Sequence, residues 1–214
     1  MVSRTRVRSA DAHAEFDALV ENFSRSKNSS QRLQAERALW DRFGTTGTTF
    51  ISDMASFSST SRAFGICHFL NMIHRARQII APRIDRHGGL LLKCDADNCY
   101  AFFESADSAI QASLDINDAL FRANQDEDPQ NHIFLAVGID YGDVLLVGTD
   151  DFYGDPVNTA SKLGEDLAGG SQILVTDRAL EKASYQVPPH HERMVARISD
   201  IEIEYVKLQM RASV

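Results

Sequence analysis

Apolar positions in the first 45 residues recur at the spacing of an amphipathic helix. This pattern predicts one helix over residues 12–23 and, after a polar, serine-rich break, a second helix over residues 31–43. Gly44 follows as a stop signal. The residues that carry the first stripe are Phe16, Leu19, Val20 and Phe23. We expect residues 1–45 to form a helical N-terminal segment, either a dimerisation or input segment or a cap over the core that follows.

From residue 46 onward, short apolar runs of strand length alternate with helical stripes. Pro82 is expected just beyond the first helix, and Gly142-Asp143 is typical of a hairpin turn between two strands. The predicted elements are strand 48–53, helix 61–80, strands 90–94 and 99–103, helix 106–123, strands 132–141 and 144–147, helix 156–167, and strands 173–176 and 202–208. This order predicts a ferredoxin-like βαββαβ α+β sandwich, with additional C-terminal strands and a helix, over residues 46–214.

Composition narrows the class of protein. The 214 residues carry 22 Lys+Arg against 30 Asp+Glu, a net charge of −8, which argues against a nucleic-acid partner. Apolar runs are too short for a membrane span. A secretory signal would have an apolar run after its basic residues, and no such run follows the basic N-terminus here. The three cysteines lack metal-site spacing, so we expect a cytoplasmic protein, with Cys94 and Cys99 as reduced thiols rather than a redox switch.

Two aspartates stand where predicted strands end. Asp53 closes an apolar strand and precedes small polar residues, so it could hold Mg²⁺ beside backbone N–H groups that face phosphate, or simply cap a helix. Asp97 lies at the tip of the hairpin between strands 90–94 and 99–103. If those strands pair beside that of Asp53, both carboxylates converge on one metal site, as two-metal phosphoryl chemistry requires. The alternative is an Asp-Asn turn that satisfies its own hydrogen bonds.

Asn158 and Lys162 form a third candidate pair. They are four residues apart on a predicted helix and therefore share one face. An amide and a cation so placed could orient a ribose and a phosphate. Taken alone, they could equally be ordinary surface residues.

Together, these three segments resemble the catalytic domain of class III nucleotidyl (adenylyl/guanylyl) cyclases, over residues 46–208. The motifs that carry the resemblance are the Phe-x-x-Asp strand end, Gly-Gly-x-x-x-Lys-x-x-x-Asp, and the Val-Asn-x-Ala-Ser segment after Asp-x-x-Gly. The resemblance implies that Asp53, Met54 and Asp97 bind metal, two Mg²⁺ or Mn²⁺ per site. It also implies a homodimer, with composite sites at the interface between the chains.

The same resemblance assigns the remaining site residues. Lys93 and Asp151 match the pair that reads adenine, Asn158 the ribose-orienting asparagine, and Lys162 the transition-state arginine. Phe57, Ser58 and Arg197 complete the implied substrate-binding set, Arg197 as a phosphate ligand.

The implied reaction is conversion of ATP to 3′,5′-cyclic AMP and pyrophosphate. Two positions depart from the family pattern: Ala96 replaces a glycine before the second metal aspartate, and Lys162 replaces the arginine. Lysine keeps the charge but loses the planar bidentate fork. Lys162 therefore keeps open a catalytically silent cyclase-like domain that binds nucleotide or a partner. A cyclase of another base specificity (pyrimidine or GTP) is the other alternative.

Overall fold

The computed structural model describes residues 9–55, 62–185, 193–198 and 201–209. The helices are α1 (Ser9–Arg25), α2 (Ser29–Phe43), α3 (Ile66–Arg86), α4 (Ala106–Gln125), α5 (Asp155–Ser161) and α6 (Asp177–Leu180). The strands are β1 (Gly44–Met54), β2 (Leu90–Asp95), β3 (Asn98–Phe103), β4 (Leu135–Val147), β5 (Asp151–Tyr153), β6 (Gln172–Thr176), β7 (Arg193–Ile198) and β8 (Ile201–Gln209). No helix within these ranges is both long and apolar enough to span a membrane.

One mixed sheet organises the chain. The strand order is β2-β3-β1-β4-β6-β8-β7, with β5 paired to β4, and among the strands of the described ranges only β4 and β6 run parallel. The placement of β1 between β3 and β4 is that of a ferredoxin-like βαββαβ core, so the predicted fold class is confirmed. α3 and α4 cover one face, where Ile80, Ile84, Ile110 and Ile116 pack with Phe50 of β1. This face forms the main hydrophobic core.

The two N-terminal helices pack against the end of β4. Both predicted helices are present, and α2 is capped by Asn28, whose side-chain oxygen accepts from the Gln31 N–H. Leu39 and Phe43 of α2 are buried with Val147, and Phe16 of α1 packs on this cluster. The helices therefore contribute to a small hydrophobic core of their own beside the sheet.

The prediction for α3 was wrong at its C-terminal end. The helix continues through Pro82 to Arg86. Proline removes one backbone donor, but Ile80 and Ile84 are fully buried, and the Arg83 guanidinium donates to the Ile79 carbonyl at 2.8 Å. Core packing thus outweighs the local helix-breaking tendency.

The predicted hairpin at Gly142-Asp143 was also wrong. β4 is one strand and pairs with β1 from Leu135 to Leu145, Gly142 facing Gly47. A Cβ at Gly142 would lie 2.8 Å from the Pro156 Cγ, so this glycine admits α5 against the sheet instead of forming a turn. The chain reverses after Val147, where Gly148 has a positive φ, and β5 pairs back onto β4.

Candidate active site

The first part of the site is a pair of carboxylates at two strand ends. β3 pairs with β1 so that Ser52 faces Cys99, which brings the β2–β3 turn beside Asp53. Asp97 in that turn lies close enough to Asp53 for its negative charge to raise the pKa of the Asp53 carboxyl. Thus the structure brings together the two aspartates that the sequence predicted to converge.

Ala96 shapes the turn that presents Asp97. Its φ of 47° lies in the left-handed region, which favours glycine, so the departure from the family's glycine carries some backbone strain. The Arg77 guanidinium donates to the Ala96 carbonyl at 2.8 Å and helps to hold the turn. Cys94 and Cys99 lie opposite each other below it as free thiols, and the Cys99 thiol is the main cause that lowers the pKa of Cys94 to about 7.

The surroundings of the carboxylate pair disfavour the charged form of Asp53. Burial, and then the negative charges of Asp97 and Glu165, raise the pKa of Asp53 to about 7, while the Met54 N–H opposes this by donating to the carboxylate. Two oxygen donors that repel each other are suited to a hard divalent cation such as Mg²⁺ or Mn²⁺. Within the described residues no third His, Cys, Asp or Glu completes a cluster. A metal held here would therefore take its other ligands from backbone, water or substrate.

The second part of the site joins Lys93 of β2 to Asp151 of β5. The Lys93 Nζ donates to Asp151 Oδ1 at 2.8 Å, and the side chains are 42% and 18% exposed. Asp151 Oδ1 also accepts from the Phe152 N–H at 2.9 Å, and Oδ2 accepts from the Tyr153 hydroxyl at 2.8 Å. Burial would raise the pKa of Asp151, but these hydrogen bonds outweigh it and hold the pKa below its ordinary value. Asp151 is thus an ionised acceptor beside a cation.

The third part of the site is the face of α5 and the turn after it. Asn158 is exposed, and Lys162 begins a π-helical turn, Lys162–Leu167, where an α-helix had been predicted to continue. π-helical turns are often found at functional sites. Within the described residues neither side chain has a hydrogen bond or ion pair, so both remain available to a ligand.

An ion pair between the buried Asp140 and the partly exposed Arg178 holds α5 and was not predicted. Asp140 of β4 has no exposed side-chain surface and accepts from the Arg178 Nε at 2.6 Å and the Thr176 hydroxyl at 2.6 Å. Arg178 also donates to Asp155 of α5 at 2.7 Å and, more weakly, to Thr159 at 3.4 Å. These bonds tie the helix that carries Asn158 to the sheet. The signal in the sequence was an aspartate within the apolar run of β4.

Four predicted site residues lie outside these three parts of the site: Met54, Arg197, Phe57 and Ser58. Met54 is buried at the end of β1. Arg197 lies on the edge strand β7 opposite Glu202, which lines a cavity of about 290 Å³ with Asp155 and Thr159. Its role as a phosphate ligand stays a prediction. Phe57 and Ser58 lie outside the described residues.

The known proteins to which this chain is similar are adenylyl and guanylyl cyclases. No protein-family profile matches the chain. A curated protein of Rhizobium meliloti (strain 1021), "Putative adenylate cyclase 3", is 29% identical over 106 residues, which are 50% of this chain and 18% of that protein. The chain therefore spans less than a fifth of this relative.

Solved structures match over more of the chain. The adenylate/guanylate cyclase/hydrolase from Silicibacter pomeroyi is 25% identical at a TM-score of 0.67, over 79% of this chain and 99% of that one. The guanylyl cyclase Cya2 has a TM-score of 0.67 at 19% identity, over 77% and 91% of the two chains. A bacterial light-regulated adenylyl cyclase has a TM-score of 0.64 at 22% identity, over 76% and 52%. The fold is that of class III adenylyl/guanylyl cyclase domains, and the curated relative and the solved structures together support a cyclase catalytic domain in this chain.

Proposed function

We propose that the domain at residues 46–214 is an adenylyl cyclase that converts ATP to 3′,5′-cyclic AMP and pyrophosphate. The observation that carries this proposal is the meeting of Asp53 and Asp97, which strand pairing brings so close that Asp97 raises the pKa of Asp53. Carboxylates in this position suit the binding of a metal–triphosphate. The fold and the relatives favour a cyclase over other phosphoryl-transfer enzymes.

The chemistry requires one bond to form and one to break. The 3′-oxygen of ATP attacks the α-phosphorus in line, the bond from that phosphorus to the bridging oxygen breaks, and pyrophosphate leaves. Divalent metal on Asp53 and Asp97 would lower the pKa of the 3′-hydroxyl and neutralise the triphosphate. Asn158 would orient the ribose, and Lys162 would face the charge that develops on the α-phosphate. The hydroxyl proton would leave to water or to the substrate.

The Lys93–Asp151 pair favours adenine. Lys93 can donate to adenine N1, and Asp151 can accept from the N6 amino group. Guanine presents an N1–H and an O6 at these places, so both contacts would oppose it. Each unpaired buried polar group costs about 1–3 kcal/mol, which corresponds to roughly a tenfold to hundredfold preference. ATP is therefore the proposed substrate, ahead of GTP or a pyrimidine nucleotide.

We also propose that the active enzyme is a homodimer. Within the described residues, no hydrogen bond or ion pair connects the carboxylate pair to Lys93, Asp151, Asn158 or Lys162. A symmetric pair of chains would let the carboxylates of one face the base-reading groups of the other. Phe64, Ile66 and Leu70 around the start of α3 are each more than half exposed and offer apolar surface for such contact.

One specific observation favours a second candidate function. Lys162 cannot make the bidentate contact of the family's arginine, so a domain that binds nucleotide without turnover is the alternative. Incubation of the protein with ATP and Mn²⁺, with cyclic AMP measured by chromatography, separates the two. We expect slow turnover by the parent and none by Asp97→Asn. ATP binding without any product would favour the silent domain.

The base preference has its own test. Lys93→Glu combined with Asp151→Cys exchanges donor and acceptor polarity. We expect the double variant to lose most ATP use and to gain some GTP use, the loss being larger than the gain. An unchanged ATP preference would show that the base is read elsewhere.

A further inference from the structure

Tyr153 lies between the base-reading aspartate and the N-terminal helices. Its hydroxyl donates to Asp151 Oδ2 at 2.8 Å. Its ring stacks on Phe16 of α1, with centroids 5.2 Å apart and planes only 8° from parallel. One side chain thus contacts both a proposed specificity residue and an element outside the sheet.

The hydroxyl bond fixes one oxygen of the carboxylate. Oδ1 is already occupied by the Lys93 ammonium and the Phe152 N–H. Oδ2 accepts the Tyr153 hydroxyl, which leaves it one further lone pair for an amino group of a base. Burial and the charge of Asp151 raise the pKa of Tyr153 to about 12, so the hydroxyl is a donor at neutral pH. Rotation of the carboxylate would break this bond and turn the acceptor away from the base.

The ring itself is held by α1. Phe16 also meets Phe43 of α2 edge-on, with centroids 5.4 Å apart. His13 of α1 bonds Asp150, the residue before Asp151, at 3.1 Å. These contacts attach α1 to β5 at both sides of Asp151. A docked α1 therefore limits the positions that Tyr153 and Asp151 can take.

We propose that Tyr153 is a positioning residue for base selection, and that α1 sets its position through Phe16. The proposal rests on the proposed base-reading role of Asp151. It also assigns the N-terminal helices a part in choosing adenine, beyond covering the core.

Two variants test the effect of the Tyr153 hydroxyl and the effect of its ring stacking one at a time. Tyr153→Phe removes only the donor and keeps the stack on Phe16. Phe16→Leu keeps an apolar side chain in the α1 cluster and removes the stack. Tyr185→Phe is a matched control that makes the same change beside a different aspartate. The backbone N–H of Tyr185 donates to the carboxylate of Asp107, at the start of α4.

The probes are ATP and purine riboside triphosphate, which lacks only the 6-amino group that Asp151 would bind. A hydrogen bond to a charged group contributes about 1.5–3 kcal/mol, so the parent should prefer ATP about 10–100-fold in kcat/KM. Tyr153→Phe should reduce that preference at least about fivefold, mostly through KM, and Phe16→Leu should reduce it less. Tyr185→Phe should match the parent. Equal ATP preference in Tyr153→Phe and the parent, or a higher one in the variant, would overturn the proposal.

Binding measurements test this proposal independently of the proposed cyclase activity. The 3′-deoxy forms of both nucleotides cannot cyclise, and calorimetry gives their affinities whether or not the protein turns over ATP. A parent that binds 3′-deoxy-ATP selectively, with selectivity lost in Tyr153→Phe, would support the inference even if no cyclic nucleotide formed. A parent that binds both probes equally would overturn it, because no base reading would exist to be positioned.

Discussion

Asp53 and Asp97 are held together although their charges repel. The Asp53 carboxyl is partly buried, and its pKa is raised to about 7 by that burial and by Asp97 and Glu165. An aspartate whose pKa is raised on folding destabilises the folded state at neutral pH, because the unfolded chain binds fewer protons there. Two carboxylates placed side by side therefore lower the stability of the fold and favour the binding of a metal ion.

Asp97→Asn should therefore separate stability from function. We expect activity to fall at least about a hundredfold, because the amide is a poor ligand for the metal that, in the proposed mechanism, would activate the 3′-hydroxyl. The melting temperature without metal should stay equal to that of the parent or rise, since one of the repelling charges is gone. Scanning calorimetry beside the cyclase assay measures both.

Metal binding gives a further readout on the same variant. Mn²⁺ at ten times its dissociation constant should raise the melting temperature of the parent by about 3–5 °C. Asp97→Asn should show little shift. An equal shift in both proteins would mean that Asp97 does not bind the metal.

Lys162 replaces the family's arginine and has no partner within the described residues. Loss of a good transition-state donor typically costs about 3–4 kcal/mol, and a lysine should supply part of that as a point charge. Lys162→Ala should lower kcat by roughly one to three orders of magnitude with little change in KM. Lys162→Arg should hold or raise kcat. Steady-state kinetics on proteins of matched oligomeric state checks this, and an alanine variant as fast as the parent would exclude a catalytic role.

At the scale of single residues, the sequence motifs indicated the candidate site residues. They did not indicate the residues that hold those candidates in position. Asp53, Asp97 and the Lys93–Asp151 pair could be predicted because their spacing matches a known catalytic pattern. Tyr153 and Arg178 could not, because their roles depend on which side chains the fold brings within hydrogen-bond distance. The contacts of Tyr153 with Asp151 and Phe16, for example, need the positions of both β5 and α1.

α5 is fixed to the sheet from two directions. Gly138 of β4 lets the helix approach so closely that a Cβ there would lie 2.0 Å from the Ala160 carbonyl oxygen. On the other side, Arg178 connects the buried Asp140 to Asp155. The position of Asn158 and Lys162 therefore depends on packing that neither residue makes.

Arg178→Met should weaken this attachment. It leaves the buried Asp140 without its cation, and because Arg178 is itself 44% exposed, we expect a cost of about 1–3 kcal/mol, below that of a fully buried pair. The free energy of unfolding from urea denaturation should fall by that amount, and amide exchange in α5 should become faster. The double variant Asp140→Asn/Arg178→Met should recover part of the loss. A double variant no more stable than Arg178→Met would show that the pair is not the source of the effect.

Element prediction succeeded where local pattern and tertiary packing agree. The order of strands and helices through β4 follows from apolar spacing, which is the spacing the core requires. It failed at Pro82 and at Gly142-Asp143, where a local breaking signal competes with burial on both sides. The π-helical turn at Lys162 also has no counterpart in a periodicity of 3.6; within it, Gly164 lies close to β1 and β4, where a Cβ would be 3.0 Å from the Ile51 carbonyl oxygen.

At the scale of the whole molecule, the apolar surface around the start of α3 is a feature that the single chain leaves unexplained. Ile66 is 59% exposed and Leu70 is 55% exposed. If this surface lies in the dimer interface, Leu70→Lys should lower activity and shift the protein towards monomers, because a buried lysine without a partner is costly. Sedimentation velocity with parallel assays checks this. A dimer that persists unchanged in the variant would place the interface elsewhere.

The central claim is a composite cyclase site that takes its carboxylates from one chain and its base-reading and ribose groups from another. Mixing two inactive variants, Asp97→Asn and Asn158→Ala, tests it most directly. In a mixed dimer one site carries both defects and the other carries none, so an equal mixture should regain about a quarter of the parent's activity. Each variant alone should stay inactive. If native mass spectrometry shows mixed dimers and no cyclic AMP forms, the account of a shared site is contradicted.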